Sequence, residues 1–187
     1  MNHALEWMLA QVHKLSTNSN STAKSLKLFE MYCGCGAHTC VFGKSDYIES
    51  IMAIELDQRL VDAANVNVKL NNLENCVKVY QDDAATVAKK GLTKYLKSKK
   101  NEDSNTTFDL LLVDPPRSGL DKTVCNFAMK ESDFTHMIYI SCGKEALVRD
   151  LAVLQAEFMV EAMLLTDLFP RTSSVETLVL LKRREQE

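Results

Sequence analysis

The chain has 187 residues, of which 46% are hydrophobic and 25% are charged, a size and mix suited to one globular domain with a full core. The formal net charge of -3 argues against a protein that binds nucleic acid through an overall positive potential, so any RNA contact must be local. Neither a secretory leader nor an apolar run near the ~20 residues of a membrane span is visible, which predicts an intracellular protein, cytoplasmic in preference to nuclear or organellar, with reduced cysteines.

Helices and strands are predicted to alternate along the chain. Apolar residues at helical spacing predict a first helix over residues 2–15, which leads into the domain, and residues 16–25 form a polar linker. Apolar runs predict strands at 26–32, 50–55, 77–80, 110–113, 136–141, 159–166 and 175–181, and helical spacing predicts helices at 37–42, 57–70, 84–100, 122–129 and 144–156. Because only the last two strands lack a helix between them, the pattern predicts a seven-stranded α/β sheet, mostly parallel, with an antiparallel last strand.

The stretch 108–121, F-D-L-L-L-V-D-P-P-R-S-G-L-D, is the strongest candidate for the centre of a site. Its apolar run suits a strand buried on both faces, and the two prolines end that strand abruptly. Asp114 is thereby held at the carboxyl end of the strand, where ligands of open α/β sheets bind, with Arg117 close behind. The alternative is an ordinary strand exit with a capping aspartate.

Three other strand ends carry groups that suit a nucleoside. The glycine loop C-G-C-G at 33–36 lacks the third glycine of a dinucleotide fingerprint and the Gly-Lys-Ser/Thr of a P-loop, which favours a ligand without phosphates. Glu55 could accept hydrogen bonds from both ribose hydroxyls, and Asp83 could reach the base. These positions predict an adenosine-bearing cofactor whose reactive end points towards Asp114; the alternative is two solvated strand-end carboxylates.

Cys142 and Glu176 are candidates for the chemistry itself. Cys142 ends a strand directly before a helix, whose amino terminus, with Arg117 or Arg149 nearby, would lower the pKa of the thiol and make it a nucleophile. Glu176 borders an apolar run that would desolvate it and raise its pKa, which suits a base. The alternatives are a buried strand cysteine and an exposed edge-strand glutamate.

The cysteines and the histidine between residues 33 and 40 are weak candidates for a metal site. Cys33, Cys35, His38 and Cys40 lie close in sequence, but zinc sites generally need a second pair of ligands elsewhere, and none exists. Small thiols that fill a crowded turn are the preferred interpretation, and no metal is expected.

Four motifs taken together, E-M-Y-C-G-C-G, V-D-P-P-R-S-G-L-D, Y-I-S-C and D-L-F-P-R-T-S-S-V-E, resemble the RNA uridine-5 methyltransferases, most closely the tRNA (uracil-5-)-methyltransferases. The resemblance implies a Rossmann-like class I fold dependent on S-adenosylmethionine, and an RNA substrate, tRNA in preference to rRNA. Cys142 would add to carbon 6 of uracil, Glu176 would remove the carbon 5 proton, and Asp114 and Arg117 would position the ring. The implied cofactor-binding residues are Tyr32, Gly34, Gly36, Glu55, Asp83 and Asp114.

The chain departs from the family pattern at three places and in extent. Ala37 stands where the family usually has Asn, Gly143-Lys144 where it has Asn-Pro, and Ser173-Ser174 where a His precedes the Val-Glu pair. The RNA-binding region that family members carry upstream is missing, which predicts a single catalytic domain over 1–187, monomeric and without most RNA contacts. Two alternatives stay open: an amino-group methyltransferase, although those have an aromatic residue at the place of Arg117, and a cofactor-binding domain without turnover.

Overall fold

A computed structural model describes residues 2–17, 25–100, 102–131, 133–168, 170–172 and 175–185. The strands are β1 (Leu26–Met31), β2 (Ile48–Glu55), β3 (Val77–Gln81), β4 (Leu110–Val113), β5 (His136–Ser141), β6 (Phe158–Thr166) and β7 (Glu176–Arg183). The helices are α1 (Asn2–Thr17), α2 (Ala37–Gly43), α3 (Gln58–Leu70), α4 (Ala84–Lys90), α5 (Leu92–Lys97), α6 (Lys122–Lys130) and α7 (Lys144–Leu154). Most of the predicted linker and the Ser173-Ser174 pair lie outside the described residues.

The seven strands form one sheet in the order β3-β2-β1-β4-β5-β7-β6. The first five pair in parallel, and β7 runs antiparallel to both β5 and β6. All four residues of β4 are buried because helices cover both faces of the sheet at its centre. The predicted α/β fold, with its seven strands and antiparallel last strand, is therefore confirmed.

Strand side chains alternate between two core layers. The layer on the α1 and α2 face includes Met8, Leu28, Phe42, Leu112, Ile138 and Leu180. The layer on the opposite face, beneath α4 to α7, includes Phe29, Tyr95, Val113, Phe127, Tyr139 and Val179. Helix α1 lies on the sheet as predicted, with Met8 and Val12 fully buried. Within the described part of the chain, no helix is both long and apolar enough to cross a bilayer.

The structure breaks the predicted helix 84–100 into α4 and α5 at Gly91. The backbone angles of Gly91, φ 74° and ψ 155°, are not helical, and its N–H ends α4 by donating to Val87. Glu131 then accepts a hydrogen bond of 2.9 Å from the N–H of Leu92, the first residue of α5. A buried leucine and a capping carboxylate therefore start a new helix where simple periodicity predicts continuation.

Candidate active site

The carboxyl ends of β1 to β4 surround a cavity of about 350 Å³. Four of the residues predicted for a cofactor lie along it together, with Ile54, Leu56, Asp82, Ala84 and Pro116 completing the lining: Tyr32, Glu55, Asp83 and Asp114. The strand order explains this arrangement, because parallel strands that start at one edge of a sheet end at the other. The structure thus gathers residues that are 82 positions apart in the chain, from 32 to 114, around one space.

Glu55 is held in one orientation by three backbone donors. The N–H groups of Leu56 and Asp57 donate to Glu55 Oε1 at 2.8 and 2.9 Å, and the N–H of Gly34 donates to Oε2 at 3.0 Å. Gly34 (φ 57°) and Gly36 (φ 79°) supply the left-handed conformations of the loop, and Gly36 also packs directly on α3. A carboxylate oriented in this way keeps lone pairs for further donors, which suits a pair of ribose hydroxyls.

Tyr32 and Asp83 are fixed beside that carboxylate in opposite protonation states. Burial and the charge of Asp83 raise the pKa of Tyr32 to about 12, so its hydroxyl remains a donor at neutral pH. Asp83 caps α4 and accepts hydrogen bonds from Thr86 Oγ1 at 2.7 Å and Thr86 N at 3.0 Å, which lower its pKa and keep it ionised. Tyr32 has a left-handed backbone (φ 64°), a strained conformation for a tyrosine that turns the chain into the glycine loop.

Three acidic side chains follow one another along the α1 and α2 face of the sheet: Glu30 on β1, Asp114 after β4 and Glu176 on β7. Each acid lies two residues from a leucine of the core layer on that face, and residues two apart on a strand share a face. The leucines are Leu28, Leu112 and Leu178. Burial, with the charge of Asp114, raises the pKa of Glu30 to about 8, although Thr39 Oγ1 donates to its carboxyl at 2.7 Å.

The three acids cannot all be ionised at neutral pH. Burial first, and the charge of Glu176 second, raise the pKa of Asp114 to about 7, and burial raises the pKa of Glu176 as well. His38 Nδ1 lies 3.8 Å from Asp114 Oδ2, but burial lowers the pKa of His38, so this ring does not bring a full positive charge. At neutral pH these raised pKa values favour the protonated form of Glu30 and leave Asp114 partly protonated beside the predicted site.

Two features of the site were not predicted from the sequence: the buried carboxyl of Glu30 and the position of His38 beside Asp114. Glu30 lies in the otherwise apolar run L-F-E-M of β1 and is 1% exposed. An acid in the middle of a central strand is itself a signal, because burying an unpaired charge costs far more than burying its neutral form.

Replacing Glu30 with glutamine is expected to remove a loss of stability that the wild-type protein shows at alkaline pH. The pKa of Glu30 is raised from 4.5 to about 8 in the folded chain, so its stabilising contribution is complete below about pH 4.5 and is lost as the pH rises through 8. Between pH 6 and pH 9 this loss is on the order of 2 to 3 kcal/mol. Urea unfolding of wild type and Glu30→Gln at both pH values measures it. Glu49→Gln, at an exposed position of β2, is the control, and equal pH dependence of all three proteins would contradict the assignment.

Cys142 follows β5 directly and lies opposite Glu176. The antiparallel pairing of β5 with β7 ends at Ser141 and Thr177, and one more step of the same register places Cys142 beside Glu176. Asp114 lies one residue past Val113, the partner of Tyr139. Continued strand geometry then separates the Cα atoms of Asp114 and Cys142 by about 8 Å.

The predicted site residues fall into two adjoining groups. Cys142 and Arg117 line a second cavity of about 480 Å³, and the described residues around it are all different from those around the first. The Pro-Pro corner separates them, since Pro116 borders the first cavity and Arg117 the second. Glu176 lines neither cavity but acts on Asp114 through its charge. The sequence predicts one site in which Cys142 lies near the reactive end of the cofactor, whereas the structure shows two adjoining cavities.

The loop 114–121 is held down by contacts that the sequence analysis did not predict. Asp150, 2% exposed, accepts hydrogen bonds of 2.7 Å from the N–H of Leu120 and the hydroxyl of Tyr139. An added Cβ at Gly143 would lie 2.3 Å from the carbonyl oxygen of Arg117, so the loop rests directly on a residue without a side chain. Both contacts fix where the Pro-Pro corner sits between the two cavities.

Arg149 is not near Cys142. Its guanidinium donates to Asp150 at 2.7 Å and to the carbonyl oxygen of Ser118 at 2.9 Å, on the far side of the loop. There it borders a third cavity of about 750 Å³, which adjoins the first one through Tyr32. Of the two arginines considered as neighbours of the thiol, Arg117 is the one that the structure brings to it.

The three cysteines of the glycine loop and α2 differ in their exposure to solvent. Cys33 and Cys40 are buried and Cys35 is exposed. Burial raises the pKa of the Cys33 thiol, which disfavours the thiolate that a metal would need. Among the residues that the structure describes, no group of three or more histidines, cysteines and acids is placed to hold a metal ion.

The strand order and the folds of known structures define the class of protein. The crystal structure of Pyrococcus abyssi tRNA (uracil-54, C5)-methyltransferase in complex with S-adenosyl-L-homocysteine matches with a TM-score of 0.70 at 22% sequence identity, covering 95% of this chain and 38% of that one. The chain therefore has the Rossmann-like fold of the class I methyltransferases. Residues 2–184 match the model of the tRNA (Uracil-5-)-methyltransferase family, and the chain belongs to that family. The resemblance seen in the four motifs is confirmed.

Two relatives show how much of a family member the chain represents. A tRNA/tmRNA (uracil-C(5))-methyltransferase of Sulfurovum sp. is 32% identical over 181 residues, which are 96% of this chain and 45% of the relative. An uncharacterized RNA methyltransferase of Clostridium acetobutylicum is 34% identical over 158 residues, 84% of this chain and 31% of the relative. The chain thus spans less than half the length of these relatives.

Proposed function

We propose that the chain is the methyl-transferring part of an enzyme that methylates carbon 5 of a uridine in RNA, tRNA in preference to rRNA, through a covalent adduct with Cys142. The observation that carries this proposal is the placement of Cys142 opposite Glu176, with Asp114 at the neighbouring strand end, in a member of this family. A nucleophile, a base and a second carboxyl group then meet at the edge of the sheet where ligands bind.

The proposed cofactor is S-adenosylmethionine, bound in the cavity of about 350 Å³, a size typical of small-molecule sites. Glu55, fixed by three backbone N–H groups, would accept the ribose hydroxyls, and Asp83 would face the base with Tyr32 as a further donor. The loop 33–36 offers close backbone approach without a phosphate cradle, as a cofactor without phosphates requires. When bound, the cofactor supplies a methyl group on a positively charged sulfur.

Cys142 and Glu176, which face each other across the ends of β5 and β7, suit the steps that uracil requires. Carbon 5 of the ring is a weak nucleophile, so the Cys142 thiolate adds to carbon 6 and converts the ring to an enolate that can accept a methyl group at carbon 5. Glu176 then removes the proton from carbon 5. The electrons of that C–H bond restore the ring double bond as the C–S bond breaks and the thiolate leaves.

The raised pKa values fit this division of work. Burial makes the carboxylate of Glu176 a stronger base than an exposed glutamate. Asp114, with its pKa raised to about 7, can be protonated and donate a hydrogen bond to the ring oxygen where enolate charge develops. Arg117 lines the same cavity as Cys142, so its positive charge lies on the side of the proposed nucleophile.

A second candidate function is cofactor binding without turnover. It is favoured by the arrangement of the described site residues, since those proposed for the cofactor and Cys142 line different cavities. The amino-group methyltransferase alternative gains no support from the family match.

Incubating the protein with a tRNA transcript and methyl-deuterated S-adenosylmethionine is expected to yield deuterated 5-methyluridine. Mass spectrometry of the digested nucleosides identifies the methylated position, and a ribosomal RNA fragment tested in parallel measures the preference for tRNA. Calorimetric titration with the cofactor is the control for binding. Cofactor binding with no methylated uridine in either RNA would favour the second candidate, and methyladenosine or methylguanosine in place of methyluridine would contradict the proposed chemistry.

A further inference from the structure

The cavity beside Cys142 has two chemically different sides. One side carries the cations Arg117 and Lys144 with the acid Glu145, and the other carries the apolar side chains of Leu165 and Val175. With a volume of about 480 Å³ it is larger than the cavity assigned to the cofactor, and it opens next to the proposed nucleophile. A nucleotide has the same two-sided character, with an anionic phosphate and a flat, largely apolar base.

The apolar side is exposed to an unusual degree for residues next to a cavity. Leu165, on β6, is 68% exposed, and Val175, which directly precedes β7, is 40% exposed. Burying such surfaces against a planar ring is favourable by about 25 cal/mol for each Å² covered.

The cationic side places Lys144 where its charge is unfavourable for the fold. Lys144 is the first residue of α7, next to the positive end of the helix dipole, where acids are preferred. Its ion pair with Glu145 spans 3.6 Å between side chains that are 88% and 82% exposed, so that pair stabilises little. The side-chain stem of Arg117 passes over Gly143, with Cγ 3.5 Å from the position of an added Cβ, which brings a second cation to the same place. A phosphate between these two groups would compensate the repulsion.

We infer that this cavity binds the nucleotide next to the target uridine, with its phosphate between Arg117 and Lys144 and its base against Leu165 and Val175. The inference deepens the proposed function, on which it rests, by naming the RNA contacts that this domain makes itself. It explains how a chain with a net charge of -3 can hold RNA at the nucleophile: the contact is local and needs two cations.

Replacing Lys144 with glutamine is expected to lower the salt dependence of RNA binding. Each phosphate contact to a single strand contributes about 0.7 to the slope of log K against log salt, so wild type should lose about 2.6-fold more affinity than Lys144→Gln between 50 and 200 mM salt. Fluorescence anisotropy with a labelled single-stranded RNA that contains one uridine measures the slope. The same RNA with neutral methylphosphonates on both sides of the uridine should abolish the difference between the two proteins.

Lys69→Gln is the matched control, because it removes the same charge from an exposed position on α3. Lys144→Gln should unfold at the same temperature as wild type or higher, since the change removes a cation from a helix amino terminus. The inference would be overturned by an unchanged slope in Lys144→Gln or by an equal change in Lys69→Gln. It would also be overturned if wild type bound no RNA at 50 mM salt, or if the difference persisted with the methylphosphonate RNA. The readout is binding, so a lowered slope without any 5-methyluridine would retain this contact while the proposed function fails.

Discussion

Replacing Cys142 with alanine is expected to abolish the covalent complex with RNA that contains 5-fluorouridine and to lower uridine methylation by a factor on the order of 10⁴ or more. Fluorine at carbon 5 cannot leave as a proton does, so the methylated adduct of the wild-type protein stays attached through the Cys142 sulfur. Denaturing gel electrophoresis after incubation with the cofactor shows this complex as a band of lower mobility.

Cys76→Ala is the matched control for that experiment. Cys76, like Cys142, is partly buried, but it precedes the edge strand β3, four places from β5 in the sheet, and its Sγ lies 3.8 Å from the carbonyl oxygen of Gly43. Both substitutions remove one sulfur from a partly buried position, so a general loss of stability would affect both. A resistant complex that persists in Cys142→Ala would exclude this residue as the nucleophile.

Replacing Glu176 with glutamine is expected to let the adduct form on ordinary uridine RNA and then prevent its release. The amide cannot remove the proton from carbon 5, so turnover should fall by a factor of about 10² to 10⁴ while methylated RNA accumulates on the protein. Wild type should show no lasting complex with the same RNA. Denaturing electrophoresis and mass spectrometry of the trapped species measure both effects.

Glu161→Gln, on the adjacent strand β6, tests whether any glutamate of this hairpin has the same effect. Glu161 is exposed and lies 3.4 Å from Lys14 Nζ and 3.6 Å from His136 Nε2, away from Cys142. Its replacement should leave release of the product unchanged. Unchanged turnover in Glu176→Gln would remove Glu176 from the proposed mechanism, and a trapped adduct in both variants would make the effect unspecific.

The fold could be predicted from the sequence because its signals are local and repeated. A buried run such as Leu110–Val113, followed by two prolines, marks a central strand and its end without any knowledge of the neighbours. Gly91 is a local signal for the break between α4 and α5, since glycine commonly follows the last residue of a helix. The parallel direction of the first five strands followed from the helices predicted between them, since parallel strands need crossover connections.

The site could be predicted only in part, because its shape depends on contacts between distant segments. That Glu55, Asp83 and Asp114 lie around one cavity followed from their places at strand ends. The separation of Cys142 from this cavity depends on the path of the loop 114–121, which is set by Asp150 on α7 and by the carbonyl of Arg117 over Gly143. Neither contact has a signature in the sequence around it.

Gly143 has no side chain under the carbonyl of Arg117, so the residue allowed at position 143 depends on the path of a segment 26 positions away, at residue 117. The Asn that the family pattern predicts after Cys142 cannot be introduced here while the loop keeps its present course, because its Cβ would lie 2.3 Å from that carbonyl oxygen. A loop that has moved away would leave a gap over glycine. For the same reason, a chimera built from this chain and a relative should exchange the Pro-Pro corner and the residues after Cys142 as one unit.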